Sequence, residues 1–163
     1  MKKQKGFSLI ELLIVVAIIL IIAAIAIPNL LRSRMAANEA SAVGSLRTIN
    51  TAEVTYQTTY PTVGFAANID ALGGAAGVCG AGATATAAAA CLIDDVLSIT
   101  KVKSGYNFAA PGVAGAGGLV NTYTANADPT VPGTTGQRHF FTDQSGVIRF
   151  DPAAAATAAS PAL

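Results

Sequence analysis

The strongest constraint on this chain is an apolar run of 21 residues, Phe7–Ile27, broken by one charge, Glu11. At about 1.5 Å per residue a helix of that length spans roughly 31 Å, the depth of a bilayer's hydrocarbon core. A short basic leader, Met1-Lys2-Lys3-Gln4-Lys5-Gly6, comes first. A secretory signal keeps its small-residue cleavage site after the apolar region. Here the candidate cut, after Gly6, lies before it, so the apolar segment stays with the mature chain. Glu11 is costly in hydrocarbon and needs a functional reason. Lys2, Lys3 and Lys5 predict a cytoplasmic N-terminus and an exported remainder. Arg32 and Arg34 weaken that asymmetry without reversing it. On hydropathy alone, a plain anchor tethering an outside domain is the simpler reading.

Past Pro28 the pattern becomes one-sided. Leu31, Met35, Val43, Leu46, Ile49, Ala52, Tyr56 and Tyr60 recur at helical spacing among Arg34, Asn38, Glu39, Ser45, Arg47 and Asn50. One helix from Phe7 to about Thr58 is expected, stopped by Pro61 and weakened at Gly44. Its second half should pack on a small sheet. Pro28 lacks the N–H that would reach Ala24, so a kink is expected there. Residues 61–98 read as a Gly/Ala/Thr-rich loop, with short helical turns at Asn68–Leu72 and Ile93–Leu97. The sheet is placed within 105–150, with strands at Tyr106–Ala109, Thr122–Thr124, His139–Thr142 and Val147–Phe150. Asp143-Gln144-Ser145-Gly146 joins the last two as a hairpin, with Gly146 supplying positive φ. Core candidates are Phe65, Leu97, Phe108, Phe140, Ile148 and Phe150. Residues 151–163 read as a mobile tail.

The fold class is therefore α+β: a long N-terminal helix, its first half transmembrane, on a small antiparallel sheet. The leader is residues 1–6, the membrane segment 7–27 and the exported part 28–163. Without Lys2, Lys3 and Lys5, seven basic side chains face nine acidic ones, a balance of −2. No basic patch appears, so nucleic acid is not an expected partner. Cys79 and Cys91 lie in a region expected to be extracytoplasmic, where a disulfide can form. It would contribute up to about 3 kcal/mol. Two free buried thiols are the alternative. His139, the single histidine, reads as a partly exposed strand residue. No nucleophile, base and orienting group assemble from these residue types, so no enzyme is expected. No cofactor is expected either.

The order Lys5-Gly6-Phe7-Ser8-Leu9-Ile10-Glu11, followed by an apolar helix ending in Ala26-Ile27-Pro28, resembles the signal of type IV prepilins and type II secretion pseudopilins. The resemblance is dense over Lys5–Pro28 and extends beyond Pro61 only as general architecture. It implies cleavage between Gly6 and Phe7 by a prepilin peptidase and N-methylation of Phe7. After that cut, Phe7 and Glu11 stand i and i+4 on one helix face, so they can neutralise each other in an isolated subunit, and in a filament Glu11 can instead meet the Phe7 amine of a neighbour. Pro28 marks a stretch that bends or melts on assembly in the family. Many members carry a glycine eight residues before that proline, whereas this chain has Leu20. Major pseudopilins often hold calcium near the C-terminus. Asp128, Asp143 and Asp151 could bring oxygen ligands together there, but their spacing matches no compact loop of alternating ligands, so calcium stands only as a secondary option to no cofactor.

The implied function is a structural subunit of a type IV pilus or pilin-like filament. Its partners would be copies of itself, the peptidase, the membrane and the inner-membrane assembly machinery. It would wait in the bacterial inner membrane and end in a surface pilus or periplasmic pseudopilus. The alternatives are a major pseudopilin of a type II secretion system and a membrane-anchored, adhesin-like minor pilin.

Overall fold

The computed structural model describes residues 7–75, 77–80, 82–115 and 117–163. Gly6 and the rest of the leader lie outside the described residues. The chain divides into two compact units, one up to Arg34 and one from Met35 to Leu163. Helix α1, Leu9–Thr59, contributes to both.

From Leu12 to Ile27 α1 is aliphatic on every side. From Phe7 to Ile22 every residue is exposed. Helical structure continues through Pro28. The Leu20–Ile27 stretch is likewise helical.

In the second unit α1 has a buried face and a free one. Ala42, Val43, Leu46, Ile49, Ala52 and Tyr56 are buried, at the three- and four-residue steps of a helix stripe. The helix ends at Thr59, because Pro61 biases Tyr60 out of helical geometry. Gly44 lies in the helix with nothing near the position a Cβ would take.

A six-stranded antiparallel sheet supplies the other half of the core. Its strands are β1 Val102–Lys103, β2 Tyr106–Ala109, β3 Gly112–Ala114, β4 Val120–Pro129, β5 His139–Asp143 and β6 Arg149–Asp151. The order is β1-β2-β4-β5-β6, and β3 pairs with the start of β4. Along β4, Tyr123, Ala125 and Ala127 point inward at period two. These alanines share one core cluster with Leu46, Ile49, Tyr106 and Phe140. Small residues here let a helix lie close to the sheet. Phe65, Val120 and Tyr123 form a second cluster, with the rings of Phe65 and Tyr123 5.0 Å apart.

Between helix and sheet runs a connecting region. Helix α2, Ile69–Gly73, is capped by the Asn68 side chain, which accepts the Ala71 N–H at 3.0 Å. Residues 90–92 lie along α2, with Ala90 and Leu92 donating to the Ala71 and Leu72 carbonyls. A disulfide joins Cys79 to Cys91, with their Cα atoms 5.4 Å apart.

Several expectations are corrected. β4 runs from Val120 to Pro129, well beyond Thr122–Thr124, because its inward positions hold alanines that carry little strand signal. β1 and β3 are additional strands of two and three residues. β6 begins at Arg149, two residues later than expected. The second helical turn is a π-helical one at Val96–Thr100, not Ile93–Leu97. Ile148 and Phe150 are only partly buried, whereas Phe65, Leu97, Phe108 and Phe140 are core. The C-terminal residues are docked on the sheet. Phe150 N–H donates to the Pro161 carbonyl and Leu163 N–H to that of Ile148, while Ala156 is buried. The hairpin turn forms as read: Gly146 has φ +72 and donates its N–H to Asp143 at 2.9 Å.

Candidate functional site

The N-terminal helix is the first part of the site. Leu12 N–H bonds the Ser8 carbonyl at 3.2 Å, so Ser8 opens the helix. Phe7 stands just before it and is exposed. Glu11 sits in the first turn, four residues and about one turn from Phe7. It is the one acidic side chain between Phe7 and Arg34. Its helical neighbours are exposed aliphatics: Ile10, Leu12, Leu13, Ile14 and Val15. A helix apolar all round is stable only when lipid or other helices cover it. Its length and composition suit a membrane span. A carboxylate in such a cover is worth its desolvation only if it meets a cation.

The free face of α1 in the second unit is also unusual. From Thr48 to Thr59 its exposed residues carry no charge. Thr48, Thr51, Thr55 and Thr59 each donate a hydroxyl to the carbonyl four residues back, at 2.8–3.2 Å. Those hydroxyls are satisfied within the helix and ask little of water.

The sequence reading missed two buried carboxylates on the opposite face. Glu39 is 8% exposed. Its Oε1 accepts the N–H groups of Gln137 and Arg138, and its Oε2 accepts Arg138 Nε at 2.8 Å. Burial pushes its pKa up, but those backbone donors and the guanidinium outweigh burial and hold it below the usual value. Glu53 is 0% exposed and lies two heptads beyond Glu39. Its Oε2 accepts Ala66 N–H at 2.9 Å, while Oε1 has no partner among the described residues. Burial raises its pKa to about 7, only partly offset by Ala66 N–H. The signal was in the spacing: Glu39, Leu46, Glu53 and Tyr60 are seven apart, on the stripe that also carries the apolar residues. Beside Glu53, Asn50 bridges two strands. Its Oδ1 accepts Tyr123 O–H and its Nδ2 donates to Thr142 Oγ1, each at 3.0 Å.

The C-terminal acids have separate local roles. Asp128 meets His139 Nδ1 at 2.6 Å. Asp143 accepts Ser145 N–H in the hairpin turn, and Asp151 accepts the N–H groups of Ala153 and Ala154. His139 is thus a hydrogen-bonded strand residue, more engaged than its expected half-exposed position implied. Pro28 lies within α1, and Cys79 with Cys91 lies in the second unit.

Residues 1–27 match the prokaryotic N-terminal methylation motif. Over 39 residues, 24% of this chain, it is 64% identical to the type IV wide pilus major component PilA4 of Thermus thermophilus. Over 54 residues, 33% of this chain, it is 44% identical to the type IV major pilin protein PilA of Myxococcus xanthus. The aligned stretches span 30% and 24% of those relatives' own lengths. No solved structure matches the chain significantly.

Proposed function

We infer, from an N-terminal segment that is of the type IV pilin family, that this chain is a structural subunit of a type IV pilus. The observation that carries this reading is the joint presence of the methylation motif and a fully exposed aliphatic helix. A prepilin peptidase cuts between Gly6 and Phe7, and the new Phe7 amine is N-methylated. That amine stays protonatable and is mostly cationic at neutral pH.

Subunits wait in the bacterial inner membrane with their N-termini in the cytoplasm. The assembly machinery then extracts them into a bundle of α1 helices. In the bundle, Glu11 of one subunit meets the Phe7 amine of its neighbour. Low dielectric strengthens that pair, and its geometry sets axial register. The uncharged threonine face supports burial of the second half of α1 in the same bundle. The chain is a substrate of processing and a building block, with no catalytic role. A type II secretion pseudopilin shares the motif, but both relatives are named as pilus components, which favours the pilus. Shearing surface fibres from cells and sequencing their subunit tests the reading. Fibres that lack this chain in cells that express it would contradict it.

A further inference from the structure

Glu53 holds a short segment that joins α1 to the rest of the second unit. Residues 63–67 are pinned at three other points. Phe65 N–H donates to the Val120 carbonyl and Val120 N–H to that of Val63, each at 2.9 Å. Gly112 N–H donates to the Ala67 carbonyl at 3.0 Å. The approach is close: a Cβ on Gly64, at φ +90, would stand 2.2 Å from the Val120 oxygen, so only glycine fits. Ala66 N–H has Glu53 Oε2 as its partner. The segment leads into α2, and hence to the disulfide loop.

We propose that Glu53 is a protonation-gated latch: with its carboxyl neutral it holds residues 63–67 on α1, and loss of the proton to solvent releases them. The geometry gives the reason. One oxygen is bound by a single backbone N–H and the other by nothing described. Among the described residues, the titratable groups facing it are two phenols, Tyr56 one turn along α1 and Tyr123 from β4. Neither hydroxyl is free to serve Oε1. Tyr56 O–H donates to the Ala87 carbonyl at 2.6 Å, and Tyr123 O–H to Asn50. The 63–67 segment, Val63-Gly64-Phe65-Ala66-Ala67, carries no titratable or charged side chain. A neutral carboxyl is tolerable there, whereas a carboxylate with one donor and no cation is not. Moving the segment away admits water and relieves it. The raised pKa of about 7 agrees with this arrangement.

The sign follows from linkage. The closed state keeps its proton to about 7, and the open state loses it near 4.5. Closure is therefore fully favoured below about 4.5, weakens as pH rises to about 7, and levels off above. The test uses the full chain in detergent micelles. Carbon NMR follows the Glu53 carboxyl from pH 4 to 9, and hydrogen exchange follows the amides of Phe65, Ala66 and Val120. Expected are a Glu53 midpoint near 7 and a fall in protection of order 100-fold between pH 4.5 and 7, after correction for intrinsic exchange. Amides on the far strand pair, such as Phe150, should not share it. Glu53→Gln keeps the acceptor and cannot ionise, so its protection should be flat. A midpoint of 4–5, or flat protection in the unsubstituted chain, overturns the proposal. So does the same fall in Glu53→Gln. If that variant does not fold, the first two results still decide.

Discussion

Glu39 and Arg138, 99 positions apart, make a contact in which one carboxylate oxygen receives both Nε and Nη2 of the guanidinium at 2.8 Å. The other oxygen takes the backbone N–H of Arg138 itself and of Gln137. One side chain of α1 thereby fixes the chain where it enters β5. Glu39→Ala should lower stability of the second unit by about 2 kcal/mol, since two part-buried backbone donors lose their acceptor while the half-exposed Arg138 returns to water. Denaturant unfolding would measure it. A change under a few tenths would mean that the contact is decorative.

The two buried carboxylates predict opposite pH slopes. Glu39 has a folded pKa below its unfolded value, so its contribution is present above about 4.5 and lost as pH falls through the folded pKa. Glu53 has a raised pKa, so its contribution is complete below about 4.5 and lost as pH rises towards about 7. Stability should therefore pass through a maximum in the mildly acidic range. Glu53→Gln should remove the decline between 4.5 and 7, and Glu39→Gln should blunt the acid limb. Melting scans across pH read both, and a profile rising steadily from pH 4 to 8 would refute the assignment of Glu53.

The same stripe shows what could be read in advance and what could not. The apolar run, the leader and the turn at Gly146 are local patterns with steep physical preferences, and they are legible without a structure. So is the buried face of α1 through Leu46, Ile49, Ala52 and Tyr56. Glu39 reads as one of the polar residues between the apolar positions and Glu53 carries no signal of its own, although their spacing by multiples of seven from Leu46 puts both on that face. β4 was truncated because Ala125, Asn126, Ala127 and Asp128 have weak strand preference, and pairing on both edges overrides it. The C-terminal residues have no periodicity, and their docking rests on a few backbone bonds to Ile148 and β6 that no pattern foretells.

Cys79 and Cys91 close a loop with a sequence separation of 12. Replacing both by serine should cost up to about 3 kcal/mol, chiefly by freeing the unfolded chain. The loss should appear as a lower melting temperature of the second unit and fast proteolysis between residues 73 and 91. Two alkylatable thiols in protein taken from the cell surface would contradict the bridge.

Processing at the leader predicts a defined mass. Mature protein should begin at Phe7 with one N-methyl group. Gly6→Leu should block the cut and leave Met1–Gly6 attached, because a branched side chain crowds the peptidase's cleft. Intact mass spectrometry decides, and filaments built from chains that keep their leader would count against the proposal.

The most direct measurement is filament yield against membrane-bound subunit in cells expressing Glu11→Ala. Removing a charge from the apolar run should leave insertion intact or improve it by up to roughly 3 kcal/mol. Assembly should nevertheless drop sharply, because the buried Phe7 amine of the incoming subunit would lack its partner. A plain anchor predicts no loss at either step. Normal filament yield with normal processing in Glu11→Ala cells would contradict the account.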